Sequence, residues 1–220
     1  MNLHILHEDE HIIVCYKPAG VPTQTSKLGE QDMVSLLKNY LKGGYVVVIH
    51  RLDQPVEGVL VFAKTPFEAK ELNRGLQGVG FGKHYKAVLW GTPSQQAAML
   101  EDYIVKDGRA NTSRVCEASE KCAKKAVLSY KVIATGKDDD KDISLVKIKL
   151  HTGRHHQIRV QMANMGCPIW GDAKYNTATV QDRGFRQIAL CAYRLEFIHP
   201  KTKKRMEFEI DPKGEGFSCF

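Results

Sequence analysis

The stretch ISLVKIKL, residues 143–150, sets Val146, Ile148 and Leu150 against Lys147 and Lys149 in strict alternation. A period of two sends successive side chains to opposite faces of an extended strand, so this segment belongs in a sheet with one face in a core and the other wet and basic. Further runs carry strand signals. Residues 3–6 and 11–16 are short apolar runs around HEDE, and VVVI (46–49), GVLVFAK (58–64), KHYKAVLWG (83–91), KAVLSYKVI (125–133), IALCAYRLEF (188–197) and KRMEFEI (204–210) follow.

Helical signals are fewer. QDMVSLLKNYL (31–41) places Met33, Leu36, Leu37, Tyr40 and Leu41 at helical spacing. TPFEAKELNRGL (65–76) opens with Thr65 as N-cap, Pro66 at the first helical position and Glu68 to complete a capping box. TGRHHQIRVQMANMG (152–166) switches to a helical period, with a start expected near His155. The Pro- and Gly-rich KPAGVPTQTSKLGE (17–30) is a loop, GKDDDKD (136–142) a charged turn, and IHPKTKK (198–204) the turn of a closing hairpin. Between Thr92 and Lys124 the pattern is weak. Strands joined by short turns, with only occasional helices, predict an α+β fold: a mixed, mostly antiparallel sheet flanked by helices and loops, as a single domain over residues 1–220.

With 43% apolar and 26% charged residues, the chain has the composition of a soluble globular protein and not of a disordered one. Its 32 Lys and Arg against 25 Asp and Glu give a net charge of +7, which suits a polyanionic partner such as a nucleic acid. The six cysteines are scattered with no C-x-x-C pair, which excludes a zinc ribbon or a thioredoxin-type redox motif and predicts free thiols in a reducing cytosol. The amino terminus lacks a secretory leader pattern and no later segment is long enough to span a bilayer, so a cytoplasmic protein without membrane attachment is expected.

Three residues are candidates for chemistry. Asp53, in VIHRLDQPVEG (48–58), lies on an exposed turn after an apolar run, where a carboxylate serves as turn former, metal ligand or catalyst. Arg159 falls on the edge of a helical stripe made by Ile158, Met162 and Met165. An inward guanidinium there needs a carboxylate partner, Asp53 being one option, or else snorkels to the surface. Tyr85 shares a strand face with Ala87 and Leu89, the usual setting of a core tyrosine. A metal centre built on His50, Asp53 and the His151–His155–His156 cluster matches no zinc spacing, since adjacent residues 155 and 156 project in different directions from a helix. No G-x-S-x-G, P-loop or G-x-G-x-x-G motif is present.

Several of these segments, in order, resemble the RluA family of RNA pseudouridine synthases over roughly residues 5–210. ILHEDEHIIVCYKPAGVPT resembles its opening segment, HRLDQPVEG its catalytic loop, KHYKAVLWG its tyrosine strand, LHTGRHHQIRVQMANMGCPIWGDAKY its arginine motif and IHPKTKKRMEFE its closing hairpin. The resemblance implies the pseudouridine synthase catalytic fold, without the amino-terminal S4-like domain of many relatives. It puts the catalytic aspartate at Asp53, the active-site tyrosine at Tyr85 and the arginine that pairs with the aspartate at Arg159. Where the family commonly has Thr or Ser followed by Ser-Gly, this chain has Val56-Glu57-Gly58.

The reaction so implied breaks the N1–C1′ bond of a uridine, turns the base and joins C5 to C1′. It has no net redox change and needs no cofactor, and no metal is expected. An ionised carboxylate can stabilise positive character on the ribose, trap it as an ester or take a ribose proton. Tyr85 offers a ring to stack on uracil and a hydroxyl for proton loss at C5, and Arg159 would hold Asp53 anionic. Arg51 is positioned to fill the gap left by a flipped uridine, or else contacts phosphate. Expected RNA contacts also include His50, His156, Lys17, Lys83, Lys86, Arg154, Lys174 and the KTKKR hairpin. The implied partner is structured rRNA or tRNA, with the enzyme a monomer and no obligatory protein partner. The alternatives are a catalytically silent RNA-binding or chaperone protein on the same fold, and a metal-assisted hydrolase.

Overall fold

In a computed structural model, residues 3–27, 29–78, 80–176 and 187–220 are described. The chain forms two compact units whose sequences interleave: residues 1–83 with 192–212, and residues 84–191 with 213–220.

The first unit is built on antiparallel strands β1 (His4–Glu8), β2 (Ile12–Lys17), β3 (Val47–Val48) and β4 (Glu57–Ala63), with most of β10 (Leu190–Ile198) and β11 (Arg205–Glu209). β2 pairs with β1 on one side and β4 on the other, and β10 and β11 form the closing hairpin. β2 and β4 are buried along almost their whole length, and of the helices α1 (Met33–Tyr40) and α2 (Pro66–Gln77) the second contributes Ala69 and Leu72 to the core beside them. Ile12, Val14, Val59, Val61, Leu72, Leu195 and Phe197 make the core. The two helices start where the sequence signals: Asp32 caps α1 by accepting from the Ser35 N–H, and Thr65 caps α2 by accepting from Glu68 with Pro66 in the first turn. The Glu68 carboxylate bonds the Thr65 hydroxyl and, at 3.0 Å, Nδ1 of His11, so the cap also pins α2 to the β1–β2 hairpin.

The second unit holds the greater part of β5 (Phe81–Trp90), and β6 (Ala97–Asp107), β7 (Thr112–Cys116), β8 (Lys124–Asp138) and β9 (Lys141–Leu150) in the order β5-β9-β8-β6-β7. The anticipated alternation holds: Val146 and Ile148 are buried while Lys147 and Lys149 are exposed. Helix α3 (Gln157–Asn164) lies on the inner face, where Val160 packs on Ile104 and Ala126. The pairs β1–β2, β2–β4, β3–β4, β10–β11, β6–β7, β6–β8 and β8–β9 are antiparallel, as the turns and spacing predicted.

Three details depart from the sequence expectation. The weak region 92–124 contains β6 and β7. In β6 the apolar Met99 and Tyr103 face out while Asp102 faces in to accept from Gln161, which erases the hydrophobic period. The charged turn shrinks to Asp139-Asp140, because β8 and β9 pair through Asp138 and Lys141. Helix α3 starts at Gln157 and not near His155, since His156 adopts a left-handed conformation with φ 52° that no helix can include.

At the amino end of β4, Gly58 has φ +148° and a Cβ there would lie 2.5 Å from the Ala192 Cβ. Neither β4 nor β10 can retreat without opening the core, so Gly58→Ala is expected to lower unfolding free energy by about 3 kcal/mol or more. Gly75→Ala, in open space within α2, should instead be neutral or stabilising by up to about 1 kcal/mol. Urea unfolding of the two variants separates them.

Candidate active site

Asp53 sits on a turn closed by the Val56 N–H donating to the Asp53 carbonyl at 3.0 Å. The loop after β2 clasps this turn on both sides of the aspartate. Thr23, buried, donates from its hydroxyl to the Leu52 carbonyl at 2.9 Å and accepts from the Leu52 N–H at 3.1 Å. On the other side Gly20 donates its N–H to the Gln54 carbonyl at 2.8 Å, while the Gln54 amide returns a bond to the Gly20 carbonyl at 3.0 Å. Gly20 has φ +84°, a backbone state that glycine adopts without strain. The spacing of Lys17, Gly20 and Thr23 in KPAGVPT therefore matches three attachment points around Asp53.

The third attachment is Lys17, the last residue of β2. Its side chain is completely buried and Nζ donates to the carbonyls of Val21 (2.6 Å), Pro18 (3.0 Å) and Gln54 (3.1 Å). Three carbonyl acceptors match the three protons of an ammonium. Burial pushes the Lys17 pKa down to about 7, while the charges of Asp53 and Glu57 act to raise it. Lys17 is therefore not a surface phosphate contact, as the sequence suggested: a buried ammonium with all its protons on carbonyls has none to offer RNA. It positions the aspartate turn.

His50, three residues before Asp53, is likewise not an RNA contact. The residue is half-buried, but both ring nitrogens are shielded from solvent and without hydrogen-bond partners among the described residues, with the ring edge-on to Phe81. Burial, with Lys83 nearby, drives its pKa down to about 3, so the ring stays neutral. Arg51 is exposed.

In the second unit Arg159 is buried, as the helical stripe implied, and it does not snorkel. The carboxylate under its fork is Asp172: Nε donates to Oδ2 at 2.8 Å and Nη2 to Oδ1 at 2.6 Å. Asp172, from the GDAKY segment, is an acid of the kind a buried arginine requires, and it was not among the residues singled out from the sequence. The guanidinium also lies 5.1 Å from the centre of the Tyr175 ring. The Tyr175 hydroxyl accepts from the Ser113 N–H at 2.8 Å and faces Nδ1 of His156 at 2.7 Å. His156 is buried and stacked on His155, and burial followed by Arg159 pushes its pKa down to about 3. Its assignment as an RNA contact is thus corrected: a buried neutral ring bonded to Tyr175 is a strut for the Arg159 pocket. Arg154 and Lys174 are exposed, holding the Lys125 and Asn111 carbonyls while their charge faces water. Tyr85 is buried on its strand beside Ala87 and Leu89, on the face the period indicated. Among the described residues no group of three His, Cys, Asp or Glu is arranged to hold a metal ion.

Two measurements follow from these burials. Asp172→Ala leaves the buried guanidinium without its fork and should destabilise the protein by about 3–5 kcal/mol in urea unfolding. His50 and His156 protonate near 6.5 in the unfolded chain and only near 3 in the folded one. Between those values the unfolded state binds more protons, so both residues make stability fall as pH drops through that window. His156→Gln should flatten the acid limb of the urea midpoint plotted against pH.

Comparison with known proteins agrees with this arrangement. A family model described as RNA pseudouridylate synthase matches residues 11–164. Ribosomal large subunit pseudouridine synthase D of Zymomonas mobilis is 32% identical over 95% of this chain and 69% of its own length. The tRNA pseudouridine synthase C of Vibrio parahaemolyticus is 30% identical over 94% of this chain and 89% of its own. The solved structure of human RNA pseudouridylate synthase domain containing 1 superposes with a TM-score of 0.80 at 25% identity, covering 96% of this chain and 84% of that one. The chain belongs to the RNA pseudouridylate synthase family, in its RluA-type branch, and is an RNA pseudouridine synthase.

Proposed function

We propose that the enzyme isomerises one or more uridines in structured rRNA or tRNA, with Asp53 as the catalytic carboxylate. The observation that carries this reading is the clasp around Asp53: bonds from Thr23 on one side and Gly20 and Lys17 on the other fix the turn while leaving the carboxylate incompletely buried. Such fixation is what a group acting on one ribose carbon requires, because misplacement by about 1 Å can cost a hundredfold in rate. Two relatives bear names that specify ribosomal RNA and tRNA respectively, which supports one of these as substrate.

In this reading the uridine leaves its stack, Arg51 fills the gap and the Tyr85 ring stacks on the uracil. The N1–C1′ bond breaks, Asp53 meets the positive character on the ribose, the base turns and C5 bonds to C1′. The C5 proton then leaves and N1, freed from C1′, takes up a proton, so the product is an isomer of the substrate and no cofactor enters the balance. Arg159 is the arginine that the family resemblance assigns to this aspartate, and Asp172 holds its fork in place. Arg154 and Lys174 hold the RNA backbone, since exposed cations can exchange counterions for phosphates. The enzyme works in the cytoplasm as a monomer. Among the described residues no helix is long and apolar enough to cross a membrane.

Tritium release from RNA labelled at uridine C5 tests the reading. Wild-type protein should release tritium from unmodified rRNA or tRNA, and Asp53→Asn should reduce the rate by about a thousandfold or more. No release by wild type from either RNA, with tight binding retained, would favour an RNA-binding protein without catalysis. Arg154→Ala and Lys174→Ala should each weaken RNA binding and lower the slope of log affinity against log salt by about one.

A further inference from the structure

The basic face of ISLVKIKL extends over neighbouring strands of the second unit. In β9, Lys147 and Lys149 point away from the buried Val146 and Ile148 and are exposed. The register carries their face across the sheet: Lys147 lies opposite Lys131 of β8, Lys149 opposite Ser129, and Ser129 opposite Met99 of β6. Tyr103, on the same face of β6, lies opposite Lys125. Lys131 is exposed, and the apolar Met99 and Tyr103 are 60% and 36% exposed beside it. Along this face, from Lys125 to Lys131, from Met99 to Tyr103 and from Lys147 to Lys149, the one carboxylate is Glu101, and Lys125 engages it at 2.8 Å.

Helix α3, which carries Arg159, packs on the other side of these strands, where Val160 meets Ile104 and Ala126. Tyr85 points to that side too, because Val88, of opposite parity in β5, packs with Ile143, which shares the strand face of Lys147. Trp170 and Phe217 join Ile143 in that cluster and cover one end of the basic face, so its open part begins at Lys147. There two like charges stand directly opposite each other. Strand geometry sets the Cβ atoms of Lys131 and Lys147 about 4.5–5.5 Å apart, an arrangement that costs stability unless an anion lies between them. Lys149 follows at about 7 Å along β9. Such a row complements the charge of a phosphate backbone, and the exposed ring of Tyr103 offers a face to a base.

We propose that this sheet face is a second RNA-binding surface that holds a single-stranded segment of the substrate RNA away from the target uridine: Lys131, Lys147 and Lys149 take its phosphates and Tyr103 takes a base. The inference rests on structured RNA being the substrate, and not on the role of Asp53. The exposed ring favours a single strand, since bases in a duplex stack on one another while unpaired ones can lie against an aromatic side chain. Removal of a charge from the Lys131–Lys147 pair relieves repulsion, so a binding defect made there is not a folding defect.

The probe is oligoadenylate, an RNA strand with no uridine for Asp53 to act on. Fluorescence anisotropy over a range of salt reads its binding, and acetylation followed by mass spectrometry reads which lysines it protects. Wild type should bind with Lys131, Lys147 and Lys149 protected, while the exposed Lys70 of α2 is labelled as in the free protein. Replacing the three together (Lys131→Gln, Lys147→Gln, Lys149→Gln) should lower affinity about tenfold or more and the slope of log affinity against log salt by about two. Tyr103→Ser should cost about tenfold and Tyr103→Phe little. With unmodified rRNA or tRNA the triple variant should raise KM for tritium release and leave kcat unchanged, and its urea midpoint should be no lower than that of wild type. Lys38→Gln, Lys70→Gln and Lys121→Gln together remove the same charge from exposed positions elsewhere and should have a much smaller effect. An equal loss in that control means net charge alone and overturns the proposal, as do unprotected lysines or a duplex RNA that binds more tightly and ignores Tyr103→Ser. Wild type that releases no tritium but shows the lysine footprint overturns the assignment of Asp53 and upholds this surface.

Discussion

The Lys17 ammonium, buried against three carbonyls, is the interaction on which the aspartate turn depends. Burying a cation is unfavourable unless every proton finds an acceptor and opposite charge lies near. Backbone oxygens of the loop after β2 and the turn before β4 meet the first condition and the carboxylates of Asp53 and Glu57 the second, so the loop and the turn can keep only one relative placement. Thr23 and Gly20 then add bonds on either side of Asp53, and the result is a carboxylate held by backbone geometry instead of by its own packing. Gly58, pressed against Ala192, fixes the point where this turn enters β4.

The second unit solves the same problem with the opposite arrangement. There the buried cation is an arginine, whose planar fork suits one carboxylate held in two places, and Asp172 takes it. Asp172 is itself fixed because its Oδ1 accepts from the Lys174 N–H at 3.0 Å, and Tyr175 continues the chain to His156 and Ser113. Three polar side chains of α3, Gln157, Arg159 and Gln161, are buried with partners: Gln157 meets Thr152 and the Val127 carbonyl, Arg159 meets Asp172, and Gln161 meets Asp102. Such a helix shows almost no separation of polar and apolar faces, yet it is fully determined by its hydrogen bonds.

That contrast explains what the sequence disclosed. Alternation, caps and turn residues are local, and they located β2, β4, β9, α1, α2 and the closing hairpin. The motifs single out Asp53, Tyr85 and Arg159 as candidates, and burial of Arg159 was legible from the stripe beside it. What stayed hidden was the partner chemistry. Lys17 and His156 were read by residue type, which predicts exposure for a lysine and a titrating ring for a histidine, but their places are set by acceptors and neighbours far along the chain. Lys17 reaches Gln54 across 37 residues and Ser113 meets Tyr175 across 62. Asp172 could have been found by asking which acid a buried arginine would meet.

The division of the cations has a consequence for how an enzyme of this kind can be both rigid and reversible on RNA. A cation that organises the structure around it must commit its hydrogen bonds to the protein, as Lys17 does in the first unit and Arg159 in the second. A cation that binds phosphate must keep its charge in water so that exchange with counterions stays cheap, and the exposed Arg154 and Lys174 meet that condition. Net charge alone cannot separate the two classes, because it counts both. Burial does separate them. Salt should therefore act on binding through the exposed cations and leave the geometry at Asp53 intact, since the buried ones are shielded from the ionic atmosphere.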